Sequence, residues 1–234
     1  PETVDLPGYR PTVDGNARQI REAAALIQAA KKPLVMAGRG VLIANASLEL
    51  RALAEKAGLP VITTLLGISA FPEDHPLALG MPGMHGWVHV NRAIQECDLL
   101  ICVGARFDDR VTGKLDTFAR NAKVIHIDID PAEISKNVHA HVPIVGDARR
   151  VLQALAEAVE PRECAEWLAH VREIQANRSH KQLREQSGTF LPHDVYREFT
   201  RILKGEFRVV TDVGQHQMWA AQLIDYLKPH THIT

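Results

Sequence analysis

PLVMAGRG, residues 33–40, decides the fold. An unbroken apolar run from Pro33 to Ala37 ends on Gly38. A strand wetted on one face alternates apolar and polar side chains, so a run without alternation reads as a strand covered on both faces, as in a parallel sheet. Upstream, NARQIREAAALIQAA (16–30) carries apolar residues at helical spacing, with Asp14 or Asn16 placed to cap its first turn, and it breaks at Lys31-Lys32-Pro33.

The same alternation repeats downstream. Helices are predicted near Ser47 to Ala57, Val88 to Cys97 and Ala148 to Val159, and strands at PVITTL (60–65), DLLICVG (98–104), KVIHIDID (123–130) and HVPIVGD (141–147). Parallel neighbours need crossovers, and helical crossovers must pack on the sheet, so the expected class is α/β: a Rossmann-like parallel sheet with helices on both faces. From about Glu160 to Gln186 a charged helical stretch without strand signal reads as a solvated connector. Beyond it PHDVYREFTRILKG (192–205) leads to FRVVTDVG (207–214) and a helical QMWAAQLIDYL (217–227), which reads as an incomplete βα fragment of a second domain. The expected organisation is a linker at 1–13, a central domain at 14–160, a helical connector at 161–191 and the start of another domain at 192–234. The chain opens on Pro-Glu-Thr-Val in a stretch holding Pro7, Gly8 and Pro11, so it is expected to be a piece of something longer.

Composition closes off several functions. A formal net charge of −1, with Lys and Arg spread along the chain, leaves no footprint for a nucleic acid or an anionic bilayer. No apolar run reaches the roughly 18 residues that would span a membrane. Cys97, Cys102 and Cys164 are an odd number, two of them in apolar segments, which suits a reducing cytoplasm. His139/His141, Cys97/Cys102 and His230/His232 never reach a four-ligand zinc spacing, so no metal ligands are assigned.

In an open parallel sheet ligands bind outside the carboxyl ends of the strands. Gly38-Arg39-Gly40 follows the first strand, but its G-x-G-x-x-I spacing leaves the dinucleotide fingerprint incomplete and an ordinary βα turn open. Leu65-Leu66-Gly67 is a ligand loop or a plain strand-end turn. GMPGMHGW (80–87) is glycine-dense enough to wrap a flat ligand, or is a flexible loop, and His85 alone is more often structural than a base. In GARFDDR (104–110) the arginines offer planar forks for phosphate and the aspartates can orient them or accept ribose hydroxyls. Asp128 closes a strand where a carboxylate meets ribose in dinucleotide folds, and Asp147 does likewise or caps the next helix, the better reading from the residues alone.

Taken together and in order, GMHG (83–86), GARFDDRVTGKL (104–115), HIDIDPAEISKN (126–137), IVGD (144–147) and DVGQHQMWAAQ (212–222) resemble the acetohydroxyacid (acetolactate) synthase catalytic subunits, thiamine-diphosphate enzymes, over essentially the whole chain. The resemblance implies a central domain holding FAD, largely structural, and a following domain for thiamine diphosphate and Mg²⁺. It implies FAD contacts at Gly38, Arg39, Gly40, Thr64, Leu65, Gly83, Met84, His85, Gly104, Ala105, Arg106 and Asp108, with Asp128 and Ile129 near the adenosine ribose and Asp147 beyond. Gly214, Gln215 and His216 would meet thiamine diphosphate, and Arg110 would stand at the substrate entrance. Arg39 departs from the family, which often has three glycines there. The family's catalytic glutamate belongs to an earlier domain and its Gly-Asp-Gly…Asn motif for Mg²⁺ falls beyond Thr234, so no catalytic residue is assigned and the segment alone is expected to be inactive. The implied parent condenses two 2-oxo acids with loss of CO₂ in branched-chain amino-acid synthesis, as a homo-oligomer, with or without a regulatory subunit. A glyoxylate carboligase, a pyruvate oxidase or a non-catalytic dinucleotide-binding module are the alternatives.

Overall fold

The computed structural model describes residues 11–182 and 191–234. Six strands, β1 (Pro33–Ala37), β2 (Val61–Thr63), β3 (Ala78–Gly80), β4 (Leu99–Val103), β5 (Lys123–Asp128) and β6 (Val142–Val145), form one sheet in the order β3-β2-β1-β4-β5-β6. Every pairing in it is parallel. Around it run α1 (Ala17–Ala29), α2 (Arg39–Ile43), α3 (Ser47–Ala57), α4 (Val88–Glu96), α5 (Asp109–Thr112), α6 (Ala148–Ala158) and α7 (Ala165–Gln182).

The expected α/β class is the observed one. Alternate residues of β1 explain the unbroken apolar run: Val35 and Ala37 join the core beneath α1, α3 and α6, while Leu34 and Met36 join the core on the other face with α4 and α7. α1 starts where Asn16 Oδ1 accepts the N–H groups of Arg18 and Gln19 at 2.9 and 3.4 Å, and it buries Ile20, Ala23, Ala24 and Ile27 at i, i+3, i+4 and i+7. Asp98 fixes the start of β1 against that of β4 by accepting from the N–H groups of Lys31 and Lys32 at 2.7 and 2.9 Å.

Several expectations need correction. Not every connection is helical: β2 runs to β3 without an α-helix, and only turns join β5 to β6. The edge strand β3 escaped the sequence reading because it is three residues long, and Arg172 Nη2 covers it by donating to the carbonyls of Pro76 and Ala78, each at 2.8 Å. The stretch from about 160 is not a solvated connector at its start. Cys164, Trp167 and Val171 are buried in the second-face core, Trp167 Nε1 donates to Pro33 O at 3.0 Å, and Arg162 donates to the carbonyls of Ile27 and Ala30 at the end of α1. The abundant charge of this segment lies on the outer side of a helix that packs.

A second unit follows with α8 (Pro192–Leu203), β7 (Val209–Val210), α9 (Gln215–Leu223) and β8 (His232–Ile233). β7 and β8 pair in parallel, so the βα unit read as unfinished is closed by a second short strand. That strand carries only two residues, too few for an apolar alternation to show. Ala220, Ala221, Ile224 and Tyr226 pack with Ile68 and Met81 of the first unit, so the two units share a third core.

Candidate functional site

The strand order reverses between β1 and β4, the switch point at which loops diverge and ligands bind in sheets of this kind. Here the two loops touch through bare backbone. Gly38 N donates to Val103 O and Gly40 N to Gly104 O, both at 2.9 Å. A Cβ on Gly38 would stand 2.3 Å from Gly104 O, and one on Gly40 2.6 Å from Gly104 Cα. Gly67 meets Ala37 O in the same way at 2.4 Å. These glycines are therefore required by one another before any ligand arrives. The residues after Gly38 are not a free turn, because α2 starts at Arg39 and leaves that side chain exposed.

The remaining expected residues lie along the same edge. Thr64 N donates to Ala37 O at 3.0 Å, and Leu65 opens a 3₁₀ turn and packs toward the core shared with the second unit. Gly83, at φ +94°, is held by the Asn91 amide, which accepts from its N–H and donates to its carbonyl, each at 2.8 Å. Met84 N donates to Arg110 O at 3.0 Å, and the side chains of Met84 and His85 are exposed. Asp128 Oδ1 accepts from Asp130 N at 3.0 Å, with Ile129 exposed beside it. Asp147 caps α6 through the N–H groups of Arg149 and Arg150 at 3.0 and 3.1 Å, the reading its residue type favoured. Gly214, Gln215 and His216 stand apart, at the N-terminus of α9, and Gln222 on the same helix donates to His85 O. Arg110 borders a cavity of about 320 Å³ shared with Met84, Asn91, Gln95, Asp109 and Phe118.

GARFDD is the most constrained stretch. Each carbonyl from Gly104 to Asp108 accepts a hydrogen bond. Among the described residues the amides of Ala105, Arg106 and Phe107 have no acceptor. The Arg106 side chain is 63% exposed and lies 4.0 Å from Asp108 Oδ2, a separation at which it is available to a ligand. Asp108 Oδ1 is buried without a hydrogen-bond partner. Free donors, an exposed guanidinium and an unsatisfied carboxylate oxygen match the diphosphate and hydroxyl groups of a dinucleotide.

Four residues that the sequence does not single out support these loops, Asn91, His126, Asn137 and Gln222, and Cys102, read from sequence only as a buried apolar cysteine, joins them. His126 had a visible signal, a polar residue inside the apolar KVIHI run. Burial pushes its pKa below the usual histidine value, which favours the neutral ring. Burial likewise drives the Cys102 thiol well above the normal range. Among the described residues no group of three or more His, Cys, Asp or Glu side chains could hold a metal ion, and no helix is long and apolar enough to cross a membrane.

The fold and the edge site define a class. The chain belongs to the thiamine pyrophosphate enzymes, whose family description "Thiamine pyrophosphate enzyme, central domain" matches residues 20–155, more than half its length. Within that class it is similar to the acetolactate synthase large subunit of Corynebacterium glutamicum, at 49% identity over 99% of this chain and 38% of that protein. It is equally similar, at 49% over the same shares, to the acetolactate synthase of Mycobacterium avium. The probable acetolactate synthase large subunit of Methanocaldococcus jannaschii is 47% identical over 99% of the chain and 40% of its own length. The chain thus spans about two fifths of the curated relatives it matches.

Proposed function

We propose that this chain is the cofactor-holding part of an acetolactate synthase that joins two 2-oxo acids with loss of CO₂, making 2-acetolactate from pyruvate for branched-chain amino-acid synthesis. In this reading residues 14–160 bind FAD, 161–191 lead onward, and 192–234 open the unit for thiamine diphosphate and Mg²⁺. The packing of Trp167 and Val171 extends the FAD unit into α7. The single observation that carries the reading is near-half identity to acetolactate synthases along almost the whole chain.

FAD fits the residues present. The free amides of Ala105, Arg106 and Phe107 and the Arg106 guanidinium would hold its diphosphate, and Asp108 Oδ1 and the Asp128 carboxylate would accept from hydroxyl groups. Gly38, Arg39, Gly40, Thr64, Leu65, Gly104, Ile129 and Asp147 would frame its path, with Gly83, Met84 and His85 closing over it. Gly214, Gln215 and His216 would touch thiamine diphosphate, which when bound supplies the carbanion chemistry. The protein's own contribution is to orient these groups, exclude water and, through Arg110 beside its cavity, attract the carboxylate of an incoming 2-oxo acid. Among the described residues no cluster of three or more His, Cys, Asp or Glu side chains could hold Mg²⁺. A cytoplasmic homo-oligomer, with or without a regulatory subunit, completes the proposal: Cys97, Cys102 and Cys164 are free and buried, and relatives bear the name large subunit.

Titration of the chain with FAD, read by quenching of flavin fluorescence, tests the cofactor: weak saturable binding that NAD does not displace is expected, and a preference for NAD would overturn it. Products formed from pyruvate by the full-length protein test the reaction. Acetolactate supports the proposal, whereas acetyl phosphate would reassign it to an oxidase.

A further inference from the structure

His126 and Cys102 are neighbours in register across β4 and β5. Both aim at one atom: His126 Nε2 and Cys102 Sγ each lie 3.1 Å from Ala105 O. A carbonyl oxygen has two lone pairs, so this one is filled from beneath by two buried donors. The tautomer follows, because His126 must carry its proton on Nε2 to donate, which leaves Nδ1 bare, and Nδ1 is buried with no hydrogen-bond partner. That is a costly arrangement for a position that an aliphatic residue could fill.

Peptide planarity shows what the arrangement achieves. In a trans peptide the C=O and the next N–H point in opposite directions, and no peptide of the described residues is cis. Drawing Ala105 C=O into the core therefore turns Arg106 N–H outward. Gly104 O, held by Gly40 N at 2.9 Å, turns Ala105 N–H away from Gly40 by the same rule. On the far side of Arg106 its carbonyl accepts from Asp108 N at 2.9 Å, Asn137 Nδ2 donates to the next carbonyl, Phe107 O, at 2.6 Å, and the His126 ring packs edge-on against Phe107 at 5.0 Å.

We propose that His126, assisted by Cys102, is a positioning residue that sets the peptide between Ala105 and Arg106 so that the Arg106 amide, beside its own guanidinium, faces an anionic ligand group without His126 touching the ligand. The identity of that group as the FAD diphosphate rests on the function proposed above. The positioning itself does not.

His126→Leu removes the donor, whereas His126→Gln keeps an N–H at comparable reach. Hydrogen exchange on the 234-residue chain is expected to rise in His126→Leu at Gly40 and Asp108, whose amides donate to Gly104 O and Arg106 O of this loop, stay near wild type there in His126→Gln, and remain slow in β4 and β5 in both. FAD affinity should fall about three- to tenfold in the Leu variant and return to within about twofold in the Gln variant, the range expected for one net hydrogen bond. Cys102→Ala, which deletes only the weaker donor, gives a smaller shift in the same direction and serves if the Leu variant does not fold. Unchanged exchange and affinity in His126→Leu, or equal loss in Leu and Gln, would overturn the proposal. Failure of the wild-type chain to bind FAD, with exchange behaving as stated, would overturn the ligand and leave the positioning standing.

Discussion

Glu73 accepts from Tyr226 N–H at 2.8 Å with a carboxyl that is buried although the residue as a whole is partly exposed. Burial, reinforced by the nearby Asp225 carboxylate, pushes its pKa to about 8 against the opposing pull of the Tyr226 hydrogen bond. Its partner region holds the converse case. His232 is buried against the Tyr226 ring at 5.0 Å with Nε2 unpartnered, and burial lowers its pKa to about 4. The signs follow from proton binding. Between its ordinary value of 4.5 and about 8 folded Glu73 keeps a proton that the unfolded chain has released, so stability falls as pH rises through that window. Between 6.5 and about 4 the unfolded chain binds a proton that folded His232 refuses, so stability falls as pH drops. Urea unfolding across pH should therefore show Glu73→Gln flattening the loss on the alkaline side and His232→Phe flattening it on the acid side; parallel profiles for wild type and either variant would refute that assignment. Thiol chemistry offers a second reading at this scale. Burial raises the pKa of Cys97 to about 12 and that of Cys164 above its usual value, so a thiol reagent should leave all three cysteines unmodified in the native chain and label all three in denaturant.

Loops after β1 and β4 behave as one element because glycine meets glycine. Gly38→Ala places a Cβ 2.3 Å from Gly104 O, and relief requires a backbone shift, so the variant should lose about 1–3 kcal/mol in urea unfolding without a change in the slope. α7 gives the complementary case. Trp167→Ala, which removes a side chain 3% exposed and its bond to Pro33 O, should cost about 3–5 kcal/mol, a loss no solvated connector could show. These two elements mark where sequence reading succeeds and stops. PLVMA, LLICV and KVIHI were legible because burial on both faces writes itself as unbroken apolarity. The face of α7 was not, since its buried Trp167 and Val171 are spaced among charges along a helix whose outer side is polar. The strand-end loops were found from position, yet the reason for their glycines lay in contacts between segments about 65 residues apart in the chain, which no local pattern expresses.

The molecule as a whole is joined where the second unit meets the first. Tyr226 is fully buried, packs on Phe207 and His232, accepts from Glu73 N–H through its carbonyl and donates its own N–H to the Glu73 carboxylate, while Ile68 and Met81 reach up from the sheet's carboxyl edge. Tyr226→Ala should leave the six-stranded sheet folded and make residues 192–234 sensitive to brief proteolysis; a variant cut no faster than wild type would show that the junction is held elsewhere. This junction was illegible in sequence, because β7 and β8 are two residues each and the groups that meet Tyr226 from the first unit, Ile68, Glu73 and Met81, lie in loops. The glycine-to-glycine contact between Gly38, Gly40 and Gly104 also reaches beyond stability. Any protein engineer who wished to retune what this edge holds would find those three positions closed, since a change at one is vetoed by its neighbour across the switch point. The freedom lies beside them, at the exposed Arg39 and Arg106, where side chains can be exchanged while the backbone that presents them stays put.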